Sequence, residues 1–356
     1  MCSSDLASAL AWLGDLHDRA AQLQGRPLGD AHRLVRRFGC SPDRIAERGC
    51  DLTDTPTPTL ADLPVYQLDE ARPYGASIAE RTRLFAERAT HVVGALFPAD
   101  GRAPEHLIHV TCTGYTSPSA VQRVVGRAGW STAVTHAYHM GCYASLPAIR
   151  LAVALCGQGT VDVVHNEICS LHIDPRDHSP ENLVVCSLFA DGHIAYQVGR
   201  ASVGEPGFDV LHIQEQLIPG TEDQMSWSPD VFGHSMTLSR HVPASLRAVL
   251  PEFLASLLAA CGLDHQDVLR DGVFAVHPGG PRIIDEVREV LGLTEAQTAA
   301  SAAVLRERGN MSSATLPHIW QRLVGECEEG QVVVSFAFGP GLTLFGSVFR
   351  YRTGLA

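Results

Sequence analysis

The stretch Val273-Phe274-Ala275-Val276-His277-Pro278-Gly279-Gly280-Pro281 organises the reading of this chain. Four apolar residues run into a histidine, and Pro-Gly-Gly-Pro then forbids any regular continuation. The pattern is a short buried strand that presents His277 at its C-terminal end. A helix over 282–291 is predicted to follow. Far upstream, Leu107-Ile108-His109-Val110-Thr111 has the same build. It ends in the turn Cys112-Thr113-Gly114 and leads into a helix over 119–126. A strand, an equipped turn and a helix in each half predict an α/β protein of two related halves, with sites at strand ends.

Outward from these segments, Leu6, Leu10, Leu13 and Leu16, then Leu34, Val35 and Phe38, recur at three- and four-residue steps, so residues 1–50 read as mostly helical. Residues 51–69, rich in proline, read as loop. Further helices are predicted over 78–96, 181–188, 244–260 and 317–325. Further strands are predicted over 161–165, 193–198 and 210–214, and 331–338 and 341–351 close the chain.

The 356 residues suffice for two domains or one duplicated domain with ample core. A formal charge of 27 − 39 = −12 argues against nucleic acid as a partner. No apolar run approaches the roughly 20 residues of a membrane span, and no signal peptide opens the sequence. The ten cysteines lack paired CxxC spacing, so the expectation is reduced, mostly buried thiols, no metal site and a cytoplasmic enzyme.

Cys142 stands in His139-Met140-Gly141-Cys142-Tyr143, at what reads as the start of an apolar helix. A cysteine there is most often a small core residue. Unpaired N–H groups at a helix start nevertheless favour a thiolate, and Gly141 permits close approach by a substrate. Asn310, in Gly309-Asn310-Met311-Ser312-Ser313-Ala314, taken singly reads as a helix N-cap. Together Cys142, His277 and Asn310 fit one chemistry. A thiolate attacks a thioester, and His and Asn donors hold the oxyanion and then the enolate left by decarboxylation.

Met140-Gly141-Cys142, His277–Pro281, Gly309–Ala314 and Phe338-Gly339-Pro340-Gly341-Leu342, in this order, resemble the type III polyketide synthases, the chalcone synthase superfamily. The resemblance implies the thiolase fold, two pseudo-duplicated halves in a five-layered αβαβα core. Residues 1–200 would carry Cys142, and 201–356 would carry His277 and Asn310. It implies a homodimer that needs no cofactor and extends an acyl-CoA starter with malonyl-CoA. Cys142 would hold the growing chain, while His277 and Asn310 form the oxyanion site.

Phe189 matches the family's gatekeeper, and Met236 stands where plant members carry a second gatekeeping phenylalanine. Cys112, Cys169, His172, Trp227, Ser312 and Gly341 fall at cavity or substrate positions, with Trp227 replacing a plant glycine. The segments 166–172 and 225–227 look more like bacterial alkylresorcinol and alkylpyrone synthases, which implies a fatty acyl starter. His32, Arg33, Arg36 and Arg37 lie near where family members bind CoA phosphates; a solvated basic helix face is the other reading. A ketoacyl synthase III-like enzyme using a carrier protein, and an idle acyl-binding subunit of the same fold, are the alternative functions. The apolar strand and Gly-x-x-x-Pro turn that usually open this family are not found.

Overall fold

The strands ending at Cys112 and His277 belong to two separate mixed sheets. The computed structural model describes residues 2–26, 30–52, 62–157, 159–200, 204–280 and 282–354. β1 (Cys2–Asp5) pairs antiparallel with β2 (Glu47–Cys50), enclosing α1 (Leu6–Leu23) and α2 (Ala31–Phe38). These two four-residue strands add to the mostly helical reading of residues 1–50, which α1 and α2 bear out. Their sequences, CSSD and ERGC, carry no period-two apolar pattern to betray them. α1 buries Leu6, Leu10, Leu13 and Leu16 as their spacing predicts, and Asp5 caps it by accepting from the Ser8 N–H at 2.9 Å. Such a cap contributes about 1 kcal/mol. Of the predicted loop 51–69, residues 53–61 lie outside the described residues.

The first half continues with α3 (Ile78–Leu96), opened by a capping box of Ser77 and Glu80. β3 (His106–Thr111), α4 (Ala120–Ala128), β4 (Ala133–Tyr138), α5 (Ser145–Cys156), β5 (Thr160–Glu167), α6 (Pro180–Leu188) and β6 (Gly192–Gly199) follow. Sheet order is β4-β3-β5-β6, with β4 and β5 parallel to β3, and β6 antiparallel to β5. β4 is a half-exposed edge strand of mixed polarity, so it escaped the sequence pattern.

The second half holds β7 (Gly207–Leu217), the hairpin β8 (Met225–Pro229) and β9 (His234–Leu238), α7 (Val242–Ala259) and α8 (His265–Asp271). Then come β10 (Val273–Val276), α9 (Ile283–Leu291), α10 (Ala299–Arg308), α11 (Thr315–Leu323), β11 (Val332–Gly339) and β12 (Thr343–Arg352). Sheet order is β10-β11-β12-β7. β10 runs parallel to β11, and β12 antiparallel to β11. That repeats the relation of β3 to β5 and of β5 to β6, so the turn after β3 and the turn after β10 are topological equivalents. The expected boundary after residue 200 meets residues 201–203, which lie outside the described residues.

α5 touches β3, β5 and β6 of the first sheet and β12 of the second, while α11 touches β6 and β10. These two helices therefore form a layer between the sheets. α3 and α4 pack together on the first sheet's side, and α7 with α9 covers β7 and β12. The result is five layers, αβαβα. α7 is one helix that, at 18 residues and mean hydropathy 1.4, is long and apolar enough to cross a membrane, which the sequence reading did not anticipate. Its apolarity has a packing use. Leu246, Leu250, Phe253, Leu254 and Leu257 are buried on one face, and Phe253 closes on Gly346 of β12 so tightly that a Cβ there would lie 2.6 Å from its ring.

Candidate active site

Cys142 lies not at the first residue of an α-helix but in a 3₁₀ turn, Gly141–Tyr143, just ahead of α5. Gly141 adopts φ 75°, and a Cβ there would sit 3.0 Å from the Pro340 ring, so glycine is required twice over. The turn packs against β11 and against the turn Ser312–Ala314 that precedes α11. The thiol is buried, with its Sγ 3.9 Å from the Ser312 hydroxyl.

Asn310 is set in place by backbone from the first half. Its N–H donates to Leu188 O at 3.0 Å, and its carbonyl accepts from Ala190 N–H at 2.8 Å. The side-chain Oδ1 accepts from the Ser312 N–H at 2.9 Å and the Thr315 hydroxyl at 3.3 Å. Met311, not Asn310 as read from the sequence, is the N-cap of the turn Ser312–Ala314, with no side-chain cap bond. The Asn310 side chain instead ties the turn through the Ser312 N–H. It also holds Ser312 at φ 50°, an uncommon conformation for a residue with a side chain. With Oδ1 committed, the amide's Nδ2 is left as a buried donor without a hydrogen-bond partner. His277, one residue past β10, is anchored by its N–H to Phe336 O at 2.8 Å. Its ring is fully buried, and neither ring nitrogen has a partner. Buried polar groups are nearly always paired. Unspent donors on both residues mark a site built for something else to bind.

Burial pushes the Cys142 thiol up to about 12, against opposing pulls from Ser312 and Asn310, while the Glu167 charge adds to the rise. Burial alone lowers the His277 imidazole to about 3. Burial thus disfavours the charged form of both groups, against the thiolate that the helix start favours. The cost of burying the charge exceeds what the turn's N–H groups return.

Cys142 faces two cavities. The inner one, about 40 Å³, is walled by Cys112, Cys169, His172, Phe189, Trp227, Met236 and Ser312 as the sequence predicts, and also by Thr113, Ile173, Val185, Cys186, Met225 and Pro340. The outer one, about 850 Å³, runs from Cys142, Phe189 and Phe338 past Gly279 and Gly280 to Arg240, His241 and Arg282. Gly341 lines neither. At φ 129° it makes the turn between β11 and β12, where a Cβ would lie 2.7 Å from Thr343 Oγ1, and its neighbour Pro340 takes the wall position. Pro281 of the opening motif lies outside the described residues. The α2 cations also line neither cavity. His32 meets Asp15 at 3.1 Å, Arg33 lies 3.9 Å from Asp30, and Arg37 covers Phe38.

The inner wall is stiff on one side. Trp227 Nε1–H donates to Cys112 O at 2.7 Å, and its ring stacks on His234 at 5.2 Å. His172 Nε2 lies 2.7 Å from Thr113 O. Glu167, missed by the sequence reading, ties this wall together. It accepts from the Thr113 hydroxyl at 2.8 Å, the Cys112 N–H at 3.1 Å and the Ser313 hydroxyl, and Cys112 Sγ is 3.0 Å from Ser312 Oγ. Burial raises its carboxyl above the ordinary range. The available signal was a carboxylate two residues past the predicted strand 161–165, a costly place for a charge with no assigned partner. Among the described residues no three His, Cys, Asp or Glu side chains converge as a metal site would require.

The family model of the chalcone and stilbene synthases, C-terminal domain, matches residues 209–352. Over 354 residues the chain is 30% identical to "Alpha-pyrone synthesis polyketide synthase-like Pks18" of Mycobacterium tuberculosis, covering 94% of this chain and 86% of that protein. The chain belongs to the type III polyketide synthases. It is also 32% identical, over 69% of its length and 66% of the other's, to 1,3,6,8-tetrahydroxynaphthalene synthase of Streptomyces coelicolor. The crystal structure of that synthase superposes with a TM-score of 0.79, covering 99% of this chain and 97% of that one at 26% identity. PKS-I of the brown alga Ectocarpus siliculosus superposes at 0.83, with 24% identity over 98% of this chain and 95% of that one. This type III polyketide synthase is therefore an acyltransferase-type condensing enzyme of thiolase-like fold. Its family works on CoA thioesters without a cofactor, which sets aside the idle-subunit reading.

Proposed function

We propose that this enzyme loads a fatty acyl group from CoA onto Cys142, extends it with malonyl-CoA, and releases an alkylpyrone. The observation that carries the site assignment is the pair of unspent donors, His277 and Asn310 Nδ2, both fully buried, with Asn310 close enough to Cys142 to pull its thiol down. Burial disfavours each charge alone, but a proton moved from Cys142 to His277 creates two opposite charges that stabilise each other in the same low-dielectric pocket. The thiolate attacks the starter thioester, CoA leaves, and the oxygen of the tetrahedral intermediate takes the free donors. When malonyl-CoA follows, loss of CO₂ leaves an enolate whose oxygen accepts the same hydrogen bonds. Its carbon then attacks the acyl group on Cys142, which releases the thiolate. Asn310 cannot titrate, so it can face an anion at every step.

His277→Gln removes the proton acceptor and leaves a thiol that burial holds high. Iodoacetamide should then label Cys142 at neutral pH at least about tenfold more slowly, with the rate still climbing into the alkaline range. Unchanged labelling would remove His277 from the mechanism.

The finer product reading rests on cavity size. The inner chamber holds about three waters, at ~10–15 Å³ each, which leaves a growing chain little room. Met225 and Met236 can adapt, whereas Trp227 is held by its hydrogen bond to Cys112 O, a stacked His234 and a perpendicular His172. Ile173 also lines a second narrow cavity of about 50 Å³ with Ala9, Trp12 and Leu63, which offers an apolar tail somewhere to go. The alpha-pyrone wording of the Mycobacterium relative supports the same product class. Purified enzyme incubated with malonyl-CoA and short- and long-chain acyl-CoA starters should give pyrone masses from the long chains. Tetraketide resorcinols as the main product would overturn this reading. Trp227→Gly should lengthen the product by one or more acetate units, read by mass, while unchanged masses would clear Trp227 of that role. We further infer two halves meeting near residue 200, a homodimer, to be checked by sedimentation, and a cytoplasmic location.

A further inference from the structure

Cys142 is not the only thiol facing the inner chamber, and the proposed reaction uses no other. Cys112 is its neighbour on the wall. The two sulfurs flank the Ser312 hydroxyl, Cys112 at 3.0 Å and Cys142 at 3.9 Å. An acyl group on Cys142 therefore has a second sulfur one side chain away. Transfer to it would be close to thermoneutral, because one thioester replaces another. The Cys112 sulfur would attack the acyl carbonyl, the Cys142 sulfur would leave, and the Cys112 proton would pass to it. Asn310 pulls on the Cys142 thiol and not on Cys112, so a chain moved across would sit away from that donor.

Glu167 stands behind this second thiol. It is the last residue of β5 and fully buried, and its carboxyl oxygens lie 3.5 and 3.6 Å from Cys112 Sγ. Four donors converge on it: the Thr113 hydroxyl at 2.8 Å, the Cys112 N–H at 3.1 Å, the Thr111 hydroxyl at 3.3 Å and the Ser313 hydroxyl. Donors to the charged form offset part of the cost of burying it. The Ser313 hydroxyl is itself set from behind, since His165 Nδ1 lies 3.0 Å from Ser313 Oγ and His165 Nε2 lies 3.2 Å from the Tyr196 hydroxyl. An ionised carboxylate only accepts. Ser313 must then give its proton to Glu167, while His165 donates from Nδ1 and accepts from Tyr196 at Nε2. Every link points at Glu167, and beside such an acceptor Cys112 has one role, that of S–H donor. Burial, and next the Glu167 charge, push the Cys112 and Cys169 thiols well above their ordinary value. At Cys142 the Glu167 charge acts behind burial and an opposing Ser312 bond.

We propose that Glu167 determines which sulfur carries the chain: its carboxylate, aligned by Ser313 and His165, holds Cys112 as an S–H donor, so the acyl group stays on Cys142. The proposal rests on the reading of Cys142 as the acyl carrier. Glu167 does not line the chamber, so it acts through Cys112 and not on the substrate. Only a thiolate attacks a thioester at a useful rate, and a thiolate at Cys112 would face a carboxylate with no water between them.

Peptide-mapping mass spectrometry of the full-length enzyme, after brief exposure to a long-chain acyl-CoA, reads where the acyl group sits. Wild type should carry its adduct on Cys142 alone. Glu167→Gln should also carry one on Cys112, and Glu167→Gln/Cys112→Ala should lose it. In a Cys142→Ala background, Glu167→Gln should raise the iodoacetamide labelling rate of Cys112 at least about tenfold, the effect of one pKa unit on the thiolate fraction. Glu167→Asp keeps the charge and should label Cys112 nearer the rate of Cys142→Ala alone, whereas a packing role would make the Asp and Gln variants alike. Equal labelling in those two variants, or no gain in Glu167→Gln, would overturn the proposal. Should Glu167→Gln fail to fold, Cys142→Ala alone decides. Cys112 should then stay unacylated with Glu167 in place, and its acylation as fast as that of Cys142 in wild type would overturn the proposal. A wild-type enzyme with no adduct on Cys142 would instead overturn the acyl-carrier reading itself.

Discussion

Cys142→Ala should abolish condensation, with product formation from acyl-CoA and malonyl-CoA below about a thousandth of wild type. No neighbour can replace the nucleophile. Cys112 and Cys169 line the same chamber, but burial and nearby negative charge push both thiols well above the ordinary thiol range. Cys142 alone gains from Asn310 as well as Ser312. The deletion leaves the unspent donors of His277 and Asn310 in place, so the two half-reactions should separate. Cys142→Gln should still release CO₂ from malonyl-CoA while forming no extended product. Full product yield from Cys142→Ala, measured by mass against an inactive heat-treated control, would end the assignment.

Asn310→Asp should cost about 10²- to 10³-fold in kcat for condensation, the usual toll for losing one oxyanion donor, and a charged replacement should sit at or beyond the upper end. Aspartate keeps an oxygen where Oδ1 accepts from Ser312 N–H and Thr315, so the positive-φ turn and its packing survive. It replaces the free Nδ2–H with an acceptor that repels an enolate. Malonyl-CoA decarboxylation and condensation should therefore fall together, while thermal unfolding shifts little. A variant that decarboxylates at the wild-type rate would place the anion elsewhere. A collapse of stability would mean that the cap, not the donor, dominates at this position.

Much of the fold was legible because the elements that carry it are periodic or punctuated. α1 and α3 announce themselves by three- and four-residue leucine and alanine steps, and β10 by an apolar run cut off at Pro278. The elements that were missed lack those cues. β1, β2 and β4 are short, polar or half-exposed, and α10 has almost no one-sided apolar face. The hairpin of β8 and β9 was visible only as the residues Met225, Trp227 and Met236, without the strands that carry them into the chamber. Gly341 shows the reverse error. Its motif is real, but its conformation serves the hairpin turn and Pro340 meets the cavity.

The nucleophile candidate, its two partners and the family were legible in the sequence, because each lies in a local motif whose glycines and prolines leave few backbone alternatives. The tertiary structure alone decided which donors are free. Asn310 has an open Nδ2 with Ser312 and Thr315 on its Oδ1, and the His277 ring is fully buried with no partner on either nitrogen. It also decided the charge state and the room. Burial raises the Cys142 thiol, Trp227 bonded to Cys112 O narrows the chamber, and exposed Arg240 and Arg282 line the outer passage. Desolvation, cavity volume and the pairing of charges are properties of groups brought together from distant positions, and no single stretch of chain encodes them.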